Sequence, residues 1–424
     1  MTSTNCFKSV FHFQFLLIGL FLIAFSSCEE EDDKVEPASK PNTTAHEAIV
    51  LPCNFFETDS VLRNDSLKEV DYIIDCFMQI NGDKKVRIEP GVVIEFKQDA
   101  GIRVNDNVAF IAEGTEEKPI VFSGTGKGKG YWRGLFFSSQ ANNSLAHVKV
   151  EYAAGKKFTE NSPIYEGSIA VATSASLNLS HVEISNGGNL ALDFSGGNSS
   201  ISTSNLTISE NEGMAVRVCA YNAHIFDSSS TFVGNAFDYI NVIKDYYEIE
   251  STVSWKKLEV PYLIDDRVHI TDNGFLTIEA GAELLFRESG YLQAAGNLPP
   301  YNYALNIMGT SAEPVSLSGY NQVNWGGIYY SFTQENNLIK HAIIEGAKGD
   351  IAVGNITNTG AIYMHADPKL TIEDTEFKNL PNCAYYAYTG ASTSQPPMPN
   401  FSATNLTLTN VAGGEFCWGG KNGQ

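Results

Sequence analysis

Two long stretches of this chain are copies of one another. VDYIIDCFMQINGDKKVRIEPGVVIEF, Val70 to Phe96, aligns without a gap to VPYLIDDRVHITDNGFLTIEAGAELLF, Val260 to Phe286, at an offset of 190 residues. Identical pairs include Tyr72 and Tyr262, Ile74 and Ile264, Glu89 and Glu279, and Phe96 and Phe286. The register continues with small shifts. GTEEKPIVFSG from Gly114 matches GTSAEPVSLSG from Gly309, and YWRGLFF from Tyr131 matches NWGGIYY from Asn324. NNSLAHVKVEYA from Asn142 matches NNLIKHAIIEGA from Asn336, and SNLTIS from Ser204 matches TNLTLT from Thr404. Such self-similarity restricts a fold more than composition does, because repeated units bury their apolar sides against their neighbours.

Each copy is built of smaller pieces. Val86-Arg87-Ile88, Ile120-Val121-Phe122 and Val148-Lys149-Val150 alternate apolar with polar side chains, the pattern of a strand with one buried face. Gly, Asn, Asp and Ser punctuate them, and the 36 glycines suit many turns and short strands. Strands this short cannot shelter a face alone, but stacked as coils of roughly 20–25 residues, on the order of 15 in all, they make a continuous core. The expected fold is an all-β parallel β-helix solenoid with an internal duplication. Residues 48–255 hold copy one with an N-terminal cap, and 256–424 hold copy two and the C-terminal end. The rival is a pair of antiparallel β-sandwiches, one per copy.

IEPGVVIEF from Ile88, KPIVFSG from Lys118, YWRGLFF and NNSLAHVKVEYA together resemble the right-handed parallel β-helix of pectate-lyase-like proteins, and especially Bacteroidetes surface lipoproteins carrying that repeat. The resemblance covers nearly all of residues 50–424 and implies a three-sheeted, right-handed coil. It also implies ladders of turn asparagines, with Asn142 and Asn336 as candidates, whose amides satisfy backbone groups.

The N-terminus reads as an address. Residues 1–27 have the form of a signal peptide, with Lys8 ahead of the apolar run Phe15 to Phe25, which is too short to span a bilayer. Ser26-Ser27-Cys28 resembles the lipobox of bacterial lipoproteins, in which the Cys carries the acyl chains, although Phe25 stands where that motif usually has Leu. Glu29-Glu30-Glu31-Asp32-Asp33 resembles the surface-export signal of Bacteroidetes lipoproteins; a plain solvated charge run is the alternative. Residues 28–47 thus read as a lipidated Cys28 and a flexible acidic tether. The expectation is an outer-membrane lipoprotein facing the exterior, with the bilayer as partner. Export permits disulfides: Cys53 with Cys76 ties down the cap, Cys383 with Cys417 the far end, and Cys219 is a buried thiol.

A formal net charge of −21 repels phosphate backbones and argues against nucleic acid. It attracts cations such as calcium, but no Asp-rich loop has metal-ligand spacing, so no metal or cofactor is assigned. The most basic neighbourhood is Lys127, Lys129, Tyr131, Trp132, Arg133, Lys156 and Lys157, which copy two lacks around Trp325. With Glu151, the set Tyr131, Trp132, Arg133 and Lys156 is a candidate ligand face. GTGKGKG at Gly124 to Gly130 lacks the ending of a phosphate loop. The matched Glu151 and Glu345, Asp75 and Asp265, and His147 and His341 sit in no recognisable catalytic motif. Tyr329, Tyr330, Tyr385, Tyr386 and Trp418 are candidates for stacking on sugar rings. The favoured reading is a cell-surface scaffold that binds glycan or a surface partner without catalysis. The alternative is a polysaccharide lyase or glycoside hydrolase on an outer face.

Overall fold

A computed structural model describes residues 46–244, 248–296, 299–333, 335–349, 351, 360–389 and 397–419. The expected signal peptide, the expected lipidation site Cys28, the acidic run and nearly all of the expected tether lie outside the described residues.

Tyr72–Ile74, Phe77–Ile80 and Lys85–Ile88 form one coil, each on its own face, here called one, two and three. The next coil repeats the pattern, setting Ile94 beside Tyr72, Gly101 beside Phe77 and Ala109 beside Lys85. Every such pairing among the described strands is parallel, so the chain is a parallel β-helix rather than two sandwiches. Along each strand alternate side chains point inward, and Ile94, Phe96, Phe122, Val150 and Ile184 stack at 0% exposure on face one alone.

Coil lengths run from the expected 20–25 residues to well above it, and the number of turns is of the expected order. Register partners lie 22 residues apart at Tyr72 and Ile94 but 34 apart at Val150 and Ile184, and the longest sheet has 13 strands. The extra residues sit in connections at the corners. Those corners need single residues in the left-handed region, where Asn, Asp and His cost least. His147 (φ 47°) and His181 (φ 55°) fill one corner with rings stacked at 4.6 Å, and His341, Asp374 and Asn405 fill its copy-two equivalent. The matched histidines are therefore corner formers.

The asparagine ladder falls one residue later than expected. Asn142 and Asn336 are exposed, whereas Asn143 and Asn337 are buried. A slip of one residue turns a side chain to the opposite face. Asn143 Oδ1 accepts from Phe110 N at 2.8 Å, and its Nδ2 donates to Ser176 O at 2.9 Å, linking three coils. Asn337 repeats this with Leu305 N and Lys369 O. Replacing Asn143 or Asn337 by Ala strands buried backbone groups and should cost about 1–3 kcal/mol, against less than ~0.5 kcal/mol for Asn142→Ala. Urea unfolding of the three variants checks this; equal losses at Asn142 and Asn143 would refute it.

The two copies join in one compact unit, Ala45–Gln424, but not face to face. Tyr262–Ile264 is the counterpart of Tyr72–Ile74 on face one, yet it pairs with Phe237–Ile243 of face two. Copy two is thus set one face further round the axis, and the 13-stranded sheet changes identity at the junction. Thr252–Trp255, which the sequence division leaves with copy one, pairs with Phe275–Glu279 of copy two.

The two ends differ. At the N-terminal end Phe55–Thr58 forms a helical turn, Phe56 is 4% exposed over the first coil, and a disulfide joins Cys53 to Cys76. Lys84 Nζ donates to Phe56 O at 2.8 Å. A second disulfide joins Cys383 to Cys417, and Cys219 is buried.

Candidate functional site

Phe136, Ala170, Asp193, Arg217 and Asn241 occupy successive register positions across face two. Their strand neighbours Leu135, Ile169, Leu192 and Val216 point into the core, so alternation turns this row outward. Outward rows normally meet water, yet Phe136, Ala170 and Asp193 are no more than 1% exposed. The cause is the long connection 152–168, which folds back over the sheet as a flap. Phe158 stacks on Phe136 at 5.1 Å, Tyr165 packs at 5.3 Å, and Phe158 N donates to Tyr165 O at 2.8 Å. These rings form a small apolar cluster outside the main core.

The flap also buries Asp193, and a buried carboxylate requires partners. Arg217 donates to it through Nη2 at 2.6 Å and Nε at 3.3 Å. Ser195 Oγ donates at 2.6 Å and Glu166 N at 3.1 Å. Arg217 Nη1 then reaches Glu166 Oε1 at 2.9 Å. Desolvation is the largest single influence on Arg217 and works to lower its pKa. The bond to Asp193, followed by the charges of Asp193 and Glu166, outweighs it and holds the guanidinium above its ordinary value. Asp193 and Arg217 each interrupt an otherwise apolar strand, 24 residues or one coil apart, which is the sequence signal that would have revealed them.

At the flap's edge lies a cleft of about 360 Å³ lined by Gly155, Lys156, Lys157, Glu160, Glu166 and Asn189 among others. Glycines shape its floor. A Cβ on Gly155 would sit 2.1 Å from Gly130 O, so the flap base and the Gly124–Gly130 loop pack backbone to backbone. Lys157 and Glu160 are exposed, and neither side chain has a hydrogen-bond partner among the described residues.

The sequence candidates divide between two places. Arg133 and Lys156 come together at the flap base. Arg133 lies 4.2 Å over the Phe77 ring, its Nη1 donates to Lys157 O at 3.0 Å, and Lys156 is 3.7 Å from Asp99. Burial pushes the Arg133 pKa down, with Asp99 and Glu160 opposing. Tyr131 and Glu151 fall elsewhere, toward face one. The Tyr131 hydroxyl is hydrogen-bonded to Thr125 Oγ1 at 3.1 Å, and Glu151 accepts from Ser123 Oγ at 3.0 Å. Lys127 bridges Ser123 and Glu95 there, and Lys129 donates to Glu210 O.

Trp132 leaves the candidate face altogether. It is fully buried, stacked on Phe96 at 4.0 Å, and its indole N–H donates to Glu151 O at 2.7 Å. Trp325 repeats this on Phe286 at 3.9 Å with Glu345 O. A residue doing the same work in both copies belongs to the coil, not to a ligand. The tyrosine candidates change likewise. Tyr329, Tyr330, Tyr385 and Tyr386 are at most 6% exposed and cannot meet a sugar, while Trp418 is 40% exposed. Tyr329, Tyr363 and Tyr386 stack on one another at 5.1 and 5.7 Å.

The paired carboxylates are also accounted for. Asp265 accepts from Arg287 Nε and Asn241 Nδ2, Asp266 pairs with Lys244, and Glu345 accepts from Asn379 Nδ2. Cys53, Cys76 and Asp75 form a trio of metal-ligand type, but its two thiols are spent in the disulfide. Among the described residues no helix is long and apolar enough to cross a membrane.

No protein-family model and no curated protein matches the chain. Among solved structures it is similar to the Dettilon tailspike protein (gp208), at 11% identity, covering 80% of this chain and 62% of that one, with a TM-score of 0.20. At that score the likeness carries no argument about function.

Proposed function

We propose that this β-helix is the ectodomain of a surface lipoprotein, anchored through Cys28, that binds glycan at the flap cleft of copy one without catalysis. The cleft carries the reading. Lys156, Lys157, Glu160 and Asn189 line a space of about 360 Å³ at the edge of the sheet, residues that carry both donors and acceptors. That size and chemistry suit a hydroxylated sugar unit. The nearby carboxylates Asp193 and Glu166 are committed to Arg217, which leaves Glu160 without the second carboxylate that acid–base cleavage uses. The lipobox resemblance and the acidic run after Cys28 support display at the cell exterior.

A glycan array probed with the unit Ala45–Gln424 tests the site. The expected result is binding to a defined set of sugars, weakened about tenfold or more by Lys157→Ala and by Asn189→Ala, which leave the fold intact. Binding unchanged in both variants sinks the cleft. Release of unsaturated or newly reducing oligosaccharides establishes a lyase or hydrolase instead. Full protection of the protein from protease added to intact cells contradicts outward display.

A further inference from the structure

The outward row of face two runs on past the flap. Gln79 and Arg103 precede Phe136 in it, while their strand neighbours Met78, Ile80, Ile102 and Val104 are buried in the core. Arg103 lies 5.0 Å over the Phe136 ring, and its Nε donates to Asn105 Oδ1 at 2.7 Å. Asn105 is itself fixed. Its Nδ2 donates to Gln79 Oε1 and to Asn81 Oδ1, and its Oδ1 also accepts from Ser138 Oγ. The guanidinium is thus held by one edge and one face, and its two Nη atoms have no hydrogen-bond partner among the described residues.

Arg103 also lacks a counter-charge. The chain has 49 acidic side chains to 28 basic ones, and Arg63, Arg217, Arg267 and Arg287 each meet a carboxylate. Arg103 meets none among the described residues. Arg87 is likewise unpaired there, but it stands exposed, whereas Arg103 is half-buried. Burial pushes the Arg103 pKa down with nothing opposing it, while Asp99 and Glu160 oppose the same push at Arg133. A half-buried charge without a partner costs stability, so building the coil does not explain it. Copy two makes the point directly. At the offset of 190 residues it has Gln293 for Arg103, His269 for Gln79 and Ala295 for Asn105, and its coil forms without the charge.

Arg103 lines an open groove of about 700 Å³ together with Gln79, Asn81, Asn105, Asn107 and Gln140. The one carboxylate in that lining, Asp106, is a corner former at φ 52° and accepts from Gly82 N at 2.8 Å. The groove lies where the strands of face two end, at Asn81, Asn105 and Ser138; the flap cleft lies where they begin, at Gly167 and Asn189. Amides offer donors and acceptors to hydroxyl groups, and two free Nη atoms in one plane match the two oxygens of a carboxylate. With no second cation in the lining, the groove suits one negative charge rather than a doubly charged phosphate.

We infer that this groove is a second ligand subsite, at the opposite edge of face two from the flap cleft, in which Arg103 clamps the carboxylate of an acidic sugar. That the ligand is a sugar rests on the glycan reading above; that it carries a carboxylate rests on Arg103.

Ligand-observed NMR titration of Ala45–Gln424 with the methyl glycosides of glucuronic acid and glucose, which differ only at C6, tests the inference. The glucuronide should bind about tenfold or more tightly than the glucoside. Arg103→Gln should erase that preference, and Arg103→Lys, which keeps the charge but not the fork, should lose most of it, both with unchanged circular dichroism spectra. Arg87→Gln removes the same charge from an exposed position and should leave the preference in place. Equal binding of the two glycosides, no binding of the glucuronide, or a preference that survives Arg103→Gln overturns the clamp. Acetate binding as tightly as the glucuronide, with both lost in Arg103→Gln, overturns the sugar, and with it the glycan reading at this groove.

Discussion

Trp132→Ala and Trp325→Ala should each destabilise the β-helix by about 3–5 kcal/mol, and by nearly equal amounts. Both indoles are fully buried, both lie flat on a Phe at about 4 Å, and both spend their N–H on a glutamate carbonyl. Truncation leaves a large cavity between two coils and an unmet carbonyl. Repeat arrays unfold piecewise, so the loss should show first as exchange of amides in the coils around the substitution. Arg133→Ala, next to Trp132, removes a guanidinium from the surface of Phe77 and should cost under ~1 kcal/mol. Hydrogen exchange with mass spectrometry, read beside urea titrations, makes the comparison. A Trp132→Ala effect far smaller than that of Trp325→Ala would show that the indole in copy one is not the coil element described.

Arg217→Met should cost about 3–5 kcal/mol, because it leaves the Asp193 carboxylate under the flap without its counter-charge. The double variant Arg217→Met with Asp193→Asn should recover at least half the loss, since the side-chain amide carries no charge to compensate and Ser195 and the Glu166 N–H remain nearby. That coupling separates an ion pair from two independent packing losses. The flap is the element at risk, and protease cutting within 152–168 should increase in the single variant and fall back in the double. Strict additivity of the two substitutions would contradict the account.

Much of the fold was legible because its signals are local and repeated. Short alternating strands, the match of Val70–Phe96 to Val260–Phe286, and glycine and asparagine punctuation all follow from one requirement, that each coil cover the next. Failures came where a decision is tertiary. Asn142 and Asn143 are adjacent and chemically identical, and only the strand register chooses the buried one. Trp132 sits among Lys127, Lys129 and Arg133 in the sequence, so its neighbours suggested a surface, while the stacked Phe96 comes from a coil away. Tyr329, Tyr330, Tyr385 and Tyr386 were candidates for stacking on sugar rings, but the structure buries them. In the site, Arg133 and Lys156 were visible as charges. Asp193 and Arg217 show in the sequence only as polar breaks in apolar strands one coil apart, and the flap that covers them has no periodicity of its own.

If the copy-one cleft binds a polymer as proposed, the one-face offset between the copies decides how that polymer can be held. Tandem duplication ordinarily supplies two like subsites in line, so a polymer gripping one is already positioned for the other and gains avidity. Here a straight chain running parallel to the axis from the copy-one cleft leaves face two and continues over strands whose ancestors belonged to face one. The equivalent ground in copy two lies around the corner, out of reach of a stiff polysaccharide. Each copy was thereby free to change its exposed chemistry alone, and one carries an Asp193–Arg217 pair at the register where the other carries Tyr386 and Cys417.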